Sequence, residues 1–271
     1  MLTVLDSTTL LELAAARLGT PPEDPVDGPV RVGVDLGTAT TVLVVLDRDD
    51  RPVWVDTHPS GALSDGVVVD FAGAVASVGG LKRRAEQVLG VELRDAATAY
   101  PPQIPLADAR ACRFVCEAAG FGEVTLVDEV SAAQRTLDVR DGVVVDVGGG
   151  STGVGVFRGG ELVALDDRPG GGHHLDLVLA GALGIPVGEA ERYKREHPEE
   201  ALPVLVPTFQ RFAESVRLMT LGAEDLPVHL AGGALMLPGA DTVVATWLER
   251  PVVTHPHALF ITPLGIARAA S

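Results

Sequence analysis

The 271-residue sequence predicts an α/β protein of two lobes. Three observations carry that expectation. Strand-like and helix-like patterns alternate along the chain after residue 30, the signature of an α/β class. A segment is duplicated: VGVDLGTATTVLVVL (32–46) and VVVDVGGGSTGVGVF (143–157) match at Asp35 and Asp146, Gly37 and Gly148, and Thr41 and Thr152, at a constant offset of 111 residues. With 46% apolar side chains, the length suits two lobes of about 130 residues each.

Each element follows in order. STTLLELAAARL (7–18) reads as a short amphipathic helix capped by Ser7, Thr8 or Thr9, and TPPEDPVDGP then breaks regular structure. Residues 1–29 are thus expected to form a detachable N-terminal arm and linker, either a surface helix or a docking peptide. From Arg31, RVGVDLGTATTVLVVLDRDDRPVWV places small-residue and polar turns between apolar runs, a β-meander. VASVGGLKRRAEQVLG and ADARACRFVCEAAGF have helical spacing, and GEVTLVDE reads as a strand leading into SAAQRTL. After the second copy, HHLDLVLAGALG, PVGEAERYKREH and PTFQRFAESVRLM read as helices, LPVHLAGG as a strand and TPLGIARAA as the closing helix.

Composition removes several functions. With 37 acidic against 21 basic residues and a net charge of -16, the chain lacks the field that draws nucleic acid or anionic lipid. Lys82 and Lys194 are its two lysines, and neither lies in a G-x-x-x-x-G-K loop, which excludes a P-loop. No apolar run reaches the roughly 18 residues of a membrane span, and residues 1–29 lack the basic start and apolar block of a secretory signal. A cytoplasmic protein is expected. Cys112 and Cys116, four apart on a helical pattern, read as buried reduced thiols.

The chemistry centres on the duplicated segment. Gly148, Gly150 and Gly153 spell a formal G-x-G-x-x-G, but a dinucleotide loop must run into a helix, and here GVGVFRGGELVAL continues as extended chain. The glycines therefore sit in a hairpin turn. Such a turn presents consecutive backbone N–H groups with no side chain in the way, an anion-binding nest. Two of them can grip one phosphate chain. Asp35 and Asp146, each at the end of a strand before its turn, would face one cleft and hold a hydrated Mg²⁺, which takes one or two carboxylates, waters and phosphate oxygens.

Over residues 30–270 the sequence resembles the actin-like ATPases, which include sugar kinases and the ATPase domains of heat-shock chaperones. DLGTATT resembles the first phosphate motif of that superfamily, DVGGGST the second, LAGGALMLPG the adenosine motif, and VTLVDEVSAA the segment supplying a water-orienting carboxylate. With DGVVVDFAGAV, GGGHHLDLVLAG, EAERYKREH and TPLGIA added, it is most similar to the ethanolamine-utilisation EutJ family. The resemblance implies two ribonuclease-H-like lobes with ATP between them, lobe I over 30–140 with the helix 257–271, and lobe II over 141–256.

It also implies roles. Asp35 and Asp146 become metal-side carboxylates, Glu129 the carboxylate that orients water, and Gly37, Thr38, Gly148, Gly149, Gly150 and Ser151 phosphate contacts. Gly232 and Gly233 would let backbone approach the adenosine, and Glu191 and Lys194 match a pattern bordering purine and ribose. Lys194 also reads as a helix-surface charge, as does Lys82, and His173 and His174 as structural or phosphate-proximal. Two positions depart from the chaperone pattern: Val130 replaces a proline, and Gly153 stands where a second aspartate follows the glycine loop. With fewer groups to stabilise a transferring phosphoryl, slow or absent turnover is expected. The family implies a chaperone-like ATPase of bacterial microcompartments with a protein client, enzyme or shell component as partner. A small-molecule kinase and a nucleotide-gated scaffold are the alternatives.

Overall fold

The structure, a computed structural model, describes residues 5–64 and 66–270. In chain order the first half comprises α1 (Ser7–Ala16), β1 (Arg31–Leu36), β2 (Thr40–Leu46), β3 (Pro52–Pro59), β4 (Leu63–Ser64), β5 (Val67–Val68), α2 (Phe71–Leu89), β6 (Ala96–Tyr100), α3 (Leu106–Ala118), β7 (Val124–Asp128) and α4 (Glu129–Leu137). The second comprises β8 (Gly142–Val147), β9 (Ser151–Arg158), β10 (Glu161–Pro169), α5 (Gly172–Leu183), α6 (Val187–Glu196), α7 (Pro198–Met219), β11 (Val228–Ala231), α8 (Ala240–Leu248), β12 (Val252–Val253), a 3₁₀ turn at Ala258–Phe260 and α9 (Ile261–Ala269).

Two five-stranded sheets result, ordered β3-β2-β1-β6-β7 and β10-β9-β8-β11-β12. The two orders are the same when counted from each meander, so the duplication seen in the residues is a duplication of topology. Register repeats as well: Asp35 faces Val42 and Leu36 faces Thr41 across β1 and β2, while Asp146 faces Gly153 and Val147 faces Thr152 across β8 and β9. The central strands carry valine on both faces because both are covered; Val143, Val144, Val145 and Val147 are fully buried.

The helices that end the two halves, α4 and α9, lie against each other between the sheets. α4 packs on β8 and β9, and α9 packs across β1, β2 and β6. They cross so closely that a Cβ on Gly265 would lie within bonding distance of the Ala132 carbonyl. Around this pair runs a shared apolar layer in which Val42 and Val44 of β2, Val130 and Ala133 of α4, Val144 and Phe157 of β8 and β9, and Ile261 and Leu264 of α9 are buried together.

Three expectations are corrected here. Asp6 caps α1, its carboxylate accepting from the Thr9 N–H at 3.0 Å, in place of Ser7, Thr8 or Thr9. The segment is not detachable: Leu10, Leu11 and Ala14 are fully buried in the layer between the sheets, and Gly19 N–H donates to the Val55 carbonyl at 2.8 Å along β3. α7 begins at Pro198, not Pro207, and runs through Pro203 and Pro207. Ala201, Leu205, Phe209, Phe212, Ala213 and Val216 form one buried stripe, and that burial outweighs the hydrogen bonds the two prolines remove. Among the described residues, no helix is long and apolar enough to cross a membrane.

Candidate functional site

The β1–β2 and β8–β9 turns face each other across the layer between the sheets. Gly149 meets Thr38 and Ala39: a Cβ placed on it would lie 3.1 Å from Ala39 N and 3.1 Å from Thr38 Cβ. Gly37, Thr38, Gly148, Gly149, Gly150 and Ser151 are therefore gathered at one place.

The second turn is held from behind. Gly148 N–H closes the hairpin onto the Ser151 carbonyl at 3.1 Å. The carbonyls of Gly148, Gly149 and Gly150 accept from the N–H groups of Gly172, His173 and Gly170 at 2.9, 2.8 and 2.8 Å. Oxygens are thus tied to the start of α5, and among the described residues no backbone acceptor takes the N–H of Gly149 or Gly150. That polarity suits an anion. The backbone of His173 serves as a brace for the loop, and His174 N–H bonds Gly171 in the first turn of α5.

Four carboxylates line the same region. Asp146, buried at the end of β8, accepts a 2.5 Å hydrogen bond from the Thr262 hydroxyl of α9. Burial pushes it up to about 6, and Thr262 opposes that rise. Asp35 is pushed up to about 7, first by burial and then by the charge of Asp146. Glu129 opens α4, because Asp128 caps the helix by accepting from Ser131 N–H at 2.8 Å. The two adjacent acids therefore separate by role, one to the helix and one to the cleft. Burial and then Asp146, Asp35, Asp167 and Asp128 hold Glu129 well above the usual carboxylate range.

Asp167 and Thr262 carry no motif and were missed in the sequence. Asp167 could have been found by its register: it sits opposite Gly153, which sits opposite Asp146. Burial pushes it up to about 7, with Asp166 and Asp146 adding to the shift and the Ser151 hydroxyl opposing it.

Among the described residues no three His, Cys, Asp or Glu side chains converge into a direct metal cage. Mutually repelling carboxylates spaced around a loop with free N–H groups instead fit a cation kept in part of its water shell, the manner in which magnesium is commonly held. Asp35 and Asp146 fit that group.

The LAGGALMLPG segment places Gly232 at φ +84° against β8, where a Cβ would lie 2.5 Å from Asp146 Oδ1. Only glycine allows that approach. Gly233 faces Leu259. Beside them a pocket of about 200 Å³ is lined by Gly232, Leu235, Met236, Asp241 and His255, among others. Glu191 and Lys194 do not line it. Lys194 is buried and binds Asp176 at 2.8 Å and Glu191 at 2.6 Å, so it is not a helix-surface charge. Lys82 is not a solvated surface charge either: largely covered, it pairs with Glu86 at 2.8 Å and lies 5.3 Å over the Phe121 ring. Cys112 and Cys116 are buried and unpaired, and burial pushes both thiols up to about 12, out of reach of thiolate chemistry.

Comparison with known proteins bears on family and fold. Residues 143–257 match the family model described as cell division protein FtsA. The chain is 38% identical over 263 residues to the ethanolamine utilisation protein EutJ of Salmonella typhimurium, covering 97% of this chain and 93% of that one. The crystal structure of EutJ from Carboxydothermus hydrogenoformans superposes with a TM-score of 0.91 at 41% identity, covering 96% of this chain and 97% of that one. MreB5 of Spiroplasma citri bound to ADP superposes with a TM-score of 0.72 at 16% identity, covering 90% and 95%, a likeness of fold.

Proposed function

The chain belongs to the ethanolamine utilisation protein EutJ family, and from that premise we propose that it is an ATP-binding, chaperone-like protein of ethanolamine utilisation with slow or absent turnover. The observation that carries this reading is the meeting of two duplicated glycine turns, with Asp35 and Asp146 at the ends of their parent strands. Nucleotide phosphates lie between these turns, held by the N–H groups of the second loop and by Thr38 and Ser151. Gly232 and Gly233 bring backbone to the adenosine, and Glu191 and Lys194 border the ribose once Lys194 exchanges one of its two carboxylate partners.

Asp35 and Asp146 would hold magnesium through its water shell, and the metal would supply positive charge against the charge developing on the phosphates. The chain's own contribution is to place Asp35 and Asp146 beside that position and to hold Glu129 where an attacking water gives up a proton. The raised affinity of Glu129 for a proton suits a base. Because Gly149 rests against Thr38 and Ala39, phosphate must part the two turns, so nucleotide binding favours a more open disposition of the lobes. A partner that reads the lobe angle, a client protein or a microcompartment enzyme or shell component, would thereby sense nucleotide.

The test is ATP binding by calorimetry and phosphate release on the purified protein, for wild type and Asp146→Ala. Micromolar ATP binding by the wild type, lost or strongly weakened in the variant, is expected. Absence of binding to the wild type sinks the reading, and release that requires a small hydroxyl compound replaces it with a kinase.

A further inference from the structure

Helix α5 carries an uncharged stripe on each of its two sides. The inner one, Leu175, Leu179 and Ala180, is buried in the core of the second half. On the outer side His174, Leu177, Val178, Gly181 and Ala182 fall at i, i+3, i+4, i+7 and i+8, the spacing that ordinarily marks a core-facing stripe, yet all five are exposed. Leu177 and Val178 are 46% and 40% exposed, and Leu183 and Val187 extend the surface across the turn into α6. No Asp, Glu, Lys or Arg occurs from 177 to 188. A helix that is apolar all round is normally covered on every side.

Gly181, in the middle of the outer stripe, has no explanation within the chain. It is helical, where glycine costs stability relative to alanine, and a Cβ there would meet nothing within 4 Å. Gly184, by contrast, ends the helix at φ +68°, a conformation that favours glycine. What a missing side chain on a helix surface permits is close approach by a second helix, because the distance between packed helix axes is set by the side chains at the contact.

The charges around the stripe indicate whose helix that is. The chain has a net charge of -16, but across α5 and α6 the acids Asp176, Glu189, Glu191 and Glu196 are matched by the bases Arg192, Lys194 and Arg195. This face is therefore almost neutral, and its exposed charges, Glu189, Arg192, Arg195 and Glu196, are of both signs in equal number. A basic partner drawn by the acidic chain would be drawn to other surfaces. A nearly neutral rim of mixed sign suits a two-fold contact between like-charged copies, in which every residue i that meets j is answered by a j that meets i.

We propose that two copies of this chain pair through α5, the helices crossing at Gly181 and Leu177 and Val178 of each copy packing against the other. The proposal goes beyond the nucleotide reading and does not depend on it. With 12 residues α5 is about 18 Å long. The contact thus falls short of the roughly 800 Å² per copy of a standard interface, and a dissociation constant on the order of 10–100 µM is expected.

The test is sedimentation of the full chain from about 5 to 300 µM, a range that brackets that constant. It compares wild type with Leu177→Glu, Gly181→Gln and, as a control on the turn after α7, Leu221→Glu, where Leu221 is 65% exposed. Wild type is expected to pass from monomer toward dimer. Leu177→Glu and Gly181→Gln should each raise the dissociation constant about 10-fold or more, and Leu221→Glu should leave it in place. Because the copies repel, raising salt from about 20 to 300 mM should tighten the wild-type dimer. Melting temperature, read where wild type is monomeric, separates pairing from folding: Gly181→Gln should melt at or above wild type, since it removes a helical glycine without a clash. A wild type that stays monomeric throughout overturns the proposal and leaves this face to a different protein. So does a dimer that neither variant weakens, a dimer that salt dissociates, or a lower melting temperature for Gly181→Gln, which would give the glycine a role inside the chain.

Discussion

Replacing Gly153 tests the packing beneath the cleft more sharply than replacing any carboxylate. A Cβ at 153 would lie 2.9 Å from Val130 Cγ2, closer than nonbonded carbons come, and Val130 also fills the space over Gly155. Gly153→Ala should therefore destabilise by about 1–3 kcal/mol, the usual cost of an extra buried carbon in a packed site. Val130→Ala removes two buried methyl groups and should cost about 2 kcal/mol. In the double variant the added methyl occupies space the valine vacated, so the combined loss should fall short of the sum by at least about 1 kcal/mol. Gly153→Asp should cost more than Gly153→Ala, because a carboxylate one strand spacing from both Asp146 and Asp167 meets roughly 3 kcal/mol of repulsion from each. Urea unfolding followed by tryptophan fluorescence reads all of these, with Trp54 on β3 and Trp247 on α8 reporting one half each. Additivity of Gly153→Ala and Val130→Ala to within about 0.5 kcal/mol would refute the argument that the two residues share one contact.

Three further outcomes are expected. Glu129→Gln should keep ATP affinity within about 3-fold and lower whatever phosphate release the wild type shows by about 100-fold or more, measured by a coupled phosphate assay; unchanged release would remove Glu129 from the chemistry. The folded chain holds the protons of Asp35, Asp146 and Asp167 up to about 7, 6 and 7, above their unfolded values, so the stability they confer is complete near pH 4 and is lost as pH rises toward 7. Metal-free protein should then melt higher at pH 5 than at pH 8, with Mg²⁺ narrowing the difference; calorimetry at both pH values with EDTA or Mg²⁺ checks it. Leu11→Ala should cost about 2–5 kcal/mol in urea unfolding, as for a core leucine, whereas a loose arm would cost under about 0.5 kcal/mol.

The two meanders were legible because each carries its signal locally, as apolar runs broken by a small-residue turn, and the repeat of Asp35, Gly37 and Thr41 announced that they act as a pair. The arm was misjudged because Leu10, Leu11 and Ala14 are apolar on a short helix, and sequence does not say which surface such a face meets; here it is β2, β3 and the turn before α9. α7 was misjudged because two prolines are strong local signals and the stripe that overrides them is tertiary. Asp167 was invisible for a related reason. Its meaning lies in two strand registers taken in succession, and nothing in LDDRP states them. Val130 and Gly153, two separate departures in the sequence, turn out to be one contact: the branched side chain at the start of α4 sits where a side chain at 153 would go.

The crossing of α4 and α9 gives the molecule a fulcrum. With Gly265 pressed to the Ala132 carbonyl and Thr136 Oγ1 donating to the Ile261 carbonyl at 2.7 Å, the two helices are pinned at points too close for either to slide along the other. Any change in the angle between the two halves would have to turn about those points. Both pinned points lie within a turn of the cleft, since Glu129 opens α4 just before Ala132 and Thr262 opens α9 just before Gly265. Thr262 at the start of α9 ties the crossing to the cleft, its hydroxyl donating to Asp146 at 2.5 Å. On the proposed reading, holding phosphate and setting the angle between the lobes would both act through this one crossing.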